Sequence, residues 1–87
     1  MSKAEIKKQV EYYLSDTNLS KDDFFRNIIS KNAAGYIDFS NILKCNKIKK
    51  LGVTQAKQLA DAIKDSKEVE SSADGQQVRR KGNKELP

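Results

Sequence analysis

The chain contains no histidine and only a single cysteine among its 87 residues. Neither a Ser-His nor a Cys-His catalytic arrangement can therefore be built, and the usual ligands of a zinc site are missing. Cys45 alone permits no internal disulfide, which fits a reducing, intracellular compartment. No stretch approaches the ~20 consecutive apolar residues that cross a bilayer. The N-terminus, MSKAEIKKQV, has lysines but not the apolar segment of a secretory signal. The phosphate-cradling glycine patterns GxxxxGKS/T and GxGxxG are absent, as are internal repeats and low-complexity tracts. Carboxylates alone could support acid–base work, but so short a chain leaves little to enclose a substrate pocket. A binding module is expected rather than an enzyme, with no cofactor and no metal.

One further absence is positional. The net charge is +5, from 17 basic and 12 acidic side chains. Between Asp38 and Asp61 there is no acidic residue at all, while Lys44, Lys47, Lys49, Lys50 and Lys57 fall there. Arg79, Arg80, Lys81 and Lys84 make a second basic cluster. Two like-signed patches on one small fold point to a polyanion partner. Either patch taken singly also reads as a solvated lysine face.

Against these absences stands residues 9–25, QVEYYLSDTNLSKDDFF, which holds four of the six aromatic residues. Tyr12, Tyr13, Phe24 and Phe25 are interleaved with Gln9, Asp16, Asn18, Asp22 and Asp23. Rings beside amides and carboxylates are what a pocket needs to stack flat bases and hydrogen-bond their edges. Two amphipathic helices joined by a polar turn would use the same residues.

Taken in order, residues 4–14 place Ile6, Val10 and Leu14 on one helical stripe, with Gln9 and Tyr12 on its shoulder and Tyr13 between the two sectors. SDTNLS breaks the helix, and Ser20 with Asp23 has capping-box spacing for a second helix. In it Asp22 and Asp23 occupy the first turn, and Phe24, Phe25, Ile28 and Ile29 form the apolar face. Gly35 is the expected C-cap. Residues 36–40 alternate as a short strand, and Asp38 or Ser40 can cap a short helix carrying Ile42 and Leu43. A basic turn buries Ile48 and Leu51 before Gly52 stops it. Thr54 is placed as the cap of a helix over 54–65, with Ala56, Leu59, Ala60 and Ile63 inward. VESSADGQQVRR reads as two strands around a two-residue Asp74-Gly75 turn. Residues 82–87 lack periodicity and read as a tail beginning a linker. This order predicts an α+β winged helix over residues 1–81, with extra N-terminal helices and a small antiparallel sheet.

QVEYYLSDTNLSKDDFF, GYIDFSNILKCNKIKKL and SADGQQVRR together resemble the La motif, the RNA-binding winged helix of La and La-related proteins. The likeness runs over about residues 5–81. The VRR ending is more similar to La and its close small-nuclear-RNA-associated relatives than to the divergent branches. The resemblance implies a nuclear, monomeric module without membrane contact. Its partner would be single-stranded RNA ending in 3′-hydroxyl uridines, such as RNA polymerase III transcripts and precursor tRNAs, which it would shield from exonucleases and help to mature. An RNA-recognition motif outside this chain would act with it.

By the same resemblance, Asp22 accepts hydrogen bonds from the 2′ and 3′ hydroxyls of the last nucleotide, and Gln9 reads a uracil edge. Tyr12, Tyr13 and Phe24 line the pocket and stack bases, while Lys21, Asn46 and Lys47 touch phosphate or sugar. Asp22→Ala is expected to weaken binding and leave the fold intact. Two positions depart from the pattern: Cys45 stands where an aromatic residue is frequent, and Leu14 replaces another. Cys45 is expected to be small buried filler. A winged helix of this order could instead bind DNA, with Gln55, Lys57, Gln58 and Lys64 entering the major groove. It could also serve protein interaction and ignore nucleic acid.

Overall fold

The computed structural model describes residues 2–87. The first helix, α1 (Lys3–Tyr13), is capped by Ser2, whose side chain accepts from the Glu5 N–H at 3.3 Å. Its stripe is the expected one: Ile6, Val10 and Leu14 are buried, and α1 packs against the helices that follow. SDTNLS does not simply interrupt it. Ser15 Oγ donates to the Tyr12 carbonyl at 2.7 Å and accepts from the Asn18 N–H at 3.2 Å, so one side chain closes α1 and opens a single helical turn, α2 (Asp16–Leu19).

The next helix, α3 (Asp23–Ser30), starts later than Ser20 predicts. Its N-cap is Asp22, whose Oδ1 accepts from the Phe25 N–H at 3.2 Å. Ser20 donates instead to the Thr17 carbonyl within α2. Both residues suit a cap; the register that seats Leu19 and Phe25 in the core selects the aspartate. Phe25 and Ile29 are buried one helical turn apart, whereas Phe24 is 58% exposed, so only part of the expected apolar face turns inward. Gly35 lies beyond the helix end, which is capped at Lys31, and closes a separate turn by donating to the Asn32 carbonyl at 2.9 Å.

The first strand is only β1 (Ile37–Asp38), because Phe39 enters α4 (Phe39–Leu43). Cys45 is the N-cap residue of α5 (Asn46–Lys50), and Gly52 ends that turn with φ +80°, a conformation that favours glycine. The last helix, α6 (Ala56–Ala62), is shorter than 54–65, and Thr54 does not cap it. Gln55 holds the N-cap position, and Gln58 Oε1 folds back to accept from the N–H groups of Thr54 at 2.8 Å and Gln55 at 3.0 Å. Leu59, Ala62 and Ile63 carry its buried face.

β2 (Val69–Ser71) and β3 (Gln77–Arg80) form the hairpin, and the antiparallel sheet order is β1-β3-β2. Val78 lies at its centre, opposite Ile37 on one side and Ser71 on the other. The connection is longer than a two-residue turn. Ser72 donates to the Gln77 carbonyl, leaving Ala73–Gln76 as the loop, and Gly75 at φ +70° bonds back to Ser72. That is the four-residue loop built on a type I turn. Helices cover the sheet face formed by Ile37, Val69 and Val78, and these meet Val10, Leu14, Leu59 and Ile63 in one core. The α+β winged helix with additional N-terminal helices is the architecture observed.

The end of the chain has a defined course. A 3₁₀ turn at Lys81–Asn83 sets the Asn83 side chain against Gly35, and Leu86 packs on the core. The Glu85 and Pro87 carbonyls accept from Arg80 and Arg26, each at 2.6 Å. Arg80 follows Val78 by two residues and so shares its inward face; it is buried and ion-paired with Asp16.

Candidate nucleic-acid interface

Three short pieces of backbone converge beside α1. Gln9, Tyr12 and Tyr13 come from its second half, Asp22 and Phe24 from the start of α3, and Cys45 with Asn46 from the start of α5. The join is Tyr13. Its ring meets Phe25 at 5.3 Å between centroids, and Phe25 meets Phe24 edge-on at 5.4 Å. Tyr12 lies 6.3 Å from Tyr13 and is 42% exposed. One aromatic row thus runs from open Tyr12 through buried Tyr13 and Phe25 to open Phe24. Its two ends are the only large hydrophobic side chains exposed among the described residues, and open rings are what a stacking surface offers.

The Tyr13 hydroxyl collects the polar groups. Burial pushes its phenol up to about 12; a hydrogen bond with Gln9 opposes this, and the neighbouring Cys45 thiol and Asp22 carboxylate add to it. At neutral pH it is therefore a protonated hydroxyl beside an amide and a thiol, and it feels the charge of the Asp22 carboxylate. The structure brings together Gln9, Tyr13 and Asp22 of the expected set, and adds Cys45, which packs on the core as expected and also meets the Tyr13 hydroxyl. Cys45 is half-buried, with Sγ 3.6 Å from the Asn41 carbonyl.

Asp22 is held on both sides. Oδ1 takes the cap bond from Phe25, and Oδ2 accepts from Asn18 Nδ2 at 3.3 Å. The same amide donates to the Tyr13 carbonyl at 2.9 Å, and Asn18 is buried. Asn18 therefore ties the α1 wall of the cluster to the α3 wall. Nothing in its residue type announces this, although Asn18 and Asp22 stand four apart. A carboxylate offers about four acceptor positions; two are occupied, and two remain for an incoming pair of donors. Because Asp22 also caps α3, alanine there removes a helix cap as well as an acceptor, and the fold is not independent of that substitution.

Lys21, Asn46 and Lys47 are exposed at the margins, and neither lysine side chain forms an ion pair among the described residues. The two basic clusters behave differently. Arg79 pairs with Glu70 at 2.8 Å, donates to the Ala34 carbonyl and covers the Tyr36 ring at 4.8 Å. Arg80 and Lys84 pair with Asp16, and Lys81 donates to the Ser66 carbonyl. The Arg79 and Arg80 pairings hold the Glu70 and Asp16 carboxyls below the usual range. These cations fasten the β2–β3 hairpin and the tail. Lys44, Lys47, Lys49, Lys50 and Lys57 enter no ion pair among the described residues and are all exposed.

The helix that would enter a DNA groove is poorly free to do so. Gln58 is engaged at its own N-terminus, and Asp65 pairs with Lys7 at 3.4 Å. A surface concavity of about 460 Å³ lies between α1, α2 and β2 and shares only Tyr12 with the cluster. Its rim mixes Lys8 and Lys84 with Glu11, Asp16 and Glu68. That concavity and the aromatic cluster are different places, and the cluster has the donors and acceptors a nucleotide requires. Among the described residues no group of three His, Cys, Asp or Glu is placed to hold a metal ion, and no helix is long and apolar enough to cross a membrane.

Residues 6–65 match the La domain family. La-related protein 7 of Mus musculus is 45% identical over 78 residues, which is 90% of this chain and 14% of that protein. La-related protein 6A of Arabidopsis thaliana is 40% identical over 75 residues, 86% of this chain and 18% of that protein. The chain spans less than a fifth of the length of these relatives. Among solved structures, the La autoantigen N-terminal domain matches with a TM-score of 0.89 and 33% identity, covering 98% of this chain and 89% of that one. The La motif of the Dictyostelium discoideum La protein matches with a TM-score of 0.74 and 38% identity, covering 98% and 90%.

Proposed function

The chain belongs to the La domain family, an RNA-binding and not an enzymatic family, and from that premise we propose that it grips the free 3′ end of single-stranded RNA ending in uridines. The observation that carries this is the Asp22 carboxylate, fixed by Asn18 and the α3 cap with two acceptor positions to spare, in a cluster whose aromatic row ends in the open rings of Tyr12 and Phe24. Two spare acceptors match the vicinal 2′ and 3′ hydroxyls that only a terminal ribose presents. A 3′-phosphate would set negative charge against Asp22, and a deoxyribose end would lack one donor. Tyr12 and Phe24 stack bases, while Gln9 and the Tyr13 hydroxyl hydrogen-bond an edge. Asn46, Lys21 and Lys47 meet sugar and phosphate.

On this reading the RNAs served are RNA polymerase III transcripts, including precursor tRNAs, whose 3′ ends are shielded from exonucleases in the nucleus. The domain acts as a monomer beside an RNA-recognition motif, with residues 82–87 leading toward it. The experiment is an amide NMR titration with short 3′-hydroxyl oligouridine and then its 3′-phosphate form. Shifts on Gln9, Tyr12, Asp22 and Phe24 that fade with the phosphate are expected. Equal shifts with both RNAs would refute end recognition.

A further inference from the structure

The five lysines between Asp38 and Asp61 are not used by the end-binding cluster, Lys47 at its margin excepted. We propose that Lys44, Lys49 and Lys50 form a separate track for the phosphate backbone of RNA upstream of the bound 3′ end. The inference rests on the end-binding reading for its direction, but its charge argument is independent of it.

The geometry comes from α5. Ile48 is its buried residue, and at about 100° per residue the opposite direction is occupied by Asn46 and Lys50, with Lys47 and Lys49 on the two flanks. All four are exposed. Lys44, exposed at the C-terminal end of α4, precedes the same turn. Asn46 belongs to the pocket margin, and Lys50 lies about 6 Å further along the axis, close to the separation of neighbouring phosphates on a single strand. A strand leaving the pocket past Asn46 would therefore run over lysines in succession.

Charge supports RNA as the occupant. A surface that serves only solubility mixes both signs, yet residues 39–60 hold five lysines and no acid. The protein has carboxylates to spare for pairing elsewhere: all four of its ion pairs among the described residues lie outside this segment. The other basic cluster is neutralised or bonded internally, whereas the lysines of this segment keep their charge free for a partner. The exposed rings, Tyr12 and Phe24, stand on α1 and α3 and none on α5, so the track is sensitive to phosphate and indifferent to sequence.

The test compares tetrauridine with an RNA of roughly twenty nucleotides that ends in the same four uridines, both with 3′ hydroxyls, against Lys44→Gln/Lys49→Gln/Lys50→Gln. The variant is expected to bind tetrauridine as the unaltered protein does. It should bind the long RNA roughly tenfold more weakly, with the slope of log K on log salt reduced by about 2, since each neutralised single-strand phosphate contributes about 0.7. The triple Lys→Arg variant should retain both affinity and slope. An unchanged affinity and slope for the long RNA would overturn the track. Failure of the end-binding reading looks different: both proteins would then be indifferent to a 3′-phosphate on tetrauridine, while the long-RNA comparison still decides the lysines.

Discussion

Replacing Asp22 by asparagine separates two jobs that one carboxylate performs. As N-cap it accepts from the Phe25 N–H at 3.2 Å; as the proposed sugar acceptor it uses positions left free by that bond and by Asn18 at 3.3 Å. Asparagine is about as good an N-cap as aspartate, so Asp22→Asn should melt close to the unaltered domain. Its amide nitrogen, however, presents hydrogens where Oδ2 accepted, toward both Asn18 and an incoming hydroxyl. A hydrogen bond to a charged group is worth about 1.5–3 kcal/mol, or roughly 10- to 150-fold in affinity. Binding of 3′-hydroxyl tetrauridine should fall by that factor. Binding of the 3′-phosphate form should hold or improve, because the repelling charge is gone. The informative quantity is the ratio of the two affinities, measured by fluorescence anisotropy at one salt concentration, with a thermal melt alongside. Asp22→Ala should fall in affinity too, but also lose about 0.5–2 kcal/mol of cap stability. An Asp22→Asn variant that melts normally and keeps the hydroxyl-to-phosphate ratio would sink the assignment of Asp22 to the ribose.

Three further expectations follow from contacts of Asn18, Gly35 and Tyr13. Asn18→Ala removes the donor to Asp22 and leaves the Tyr13 carbonyl without that partner, so it should cost about 1–3 kcal/mol in urea unfolding and also narrow the discrimination between 3′ ends; intact discrimination would reduce Asn18 to a purely structural residue. Gly35 has φ +76° and a Cβ there would overlap the Asn83 side-chain oxygen, so Gly35→Ala should lower stability by at least about 1 kcal/mol, some 4–8 °C in Tm for a domain of this size, and speed amide exchange in residues 83–87. Unchanged exchange would mean that the tail is not held there. Tyr13 has its phenol raised from 10.0 to about 12. The folded protein keeps that proton to higher pH than the unfolded chain, so the contribution is complete below pH 10 and is lost as pH rises through 12. Tyr13→Phe should abolish this component of the alkaline fall in stability, and an identical fall in both proteins would refute it.

Features that depend on neighbours a few positions apart were legible in the sequence. The stripe of Ile6, Val10 and Leu14 needs only helical spacing, and Leu59 and Ile63 need the same. Asp74-Gly75 marks a turn because glycine tolerates a positive φ. The element order then followed, and with it the winged helix. Boundaries were less legible, because Ser20 and Asp22 are both competent caps two residues apart and only the seating of Leu19 and Phe25 chooses between them. Phe39 likewise suits a strand until the core draws it into α4.

Contacts between distant residues were decided by the tertiary structure alone. The basic ending looked like a second polyanion surface, but Arg80 finds Asp16 and Arg79 finds Glu70, so its charge is engaged within the fold. Cys45 packs on the core as filler does, but it also stands beside the hydroxyl of Tyr13, more than thirty residues earlier. Asn18 looked like one turn former among several, until burial made its amide the link between two helices. Local spacing determines which face of a helix is apolar. Which polar group meets another across the core depends on how those faces pack, and no window along the chain contains that information.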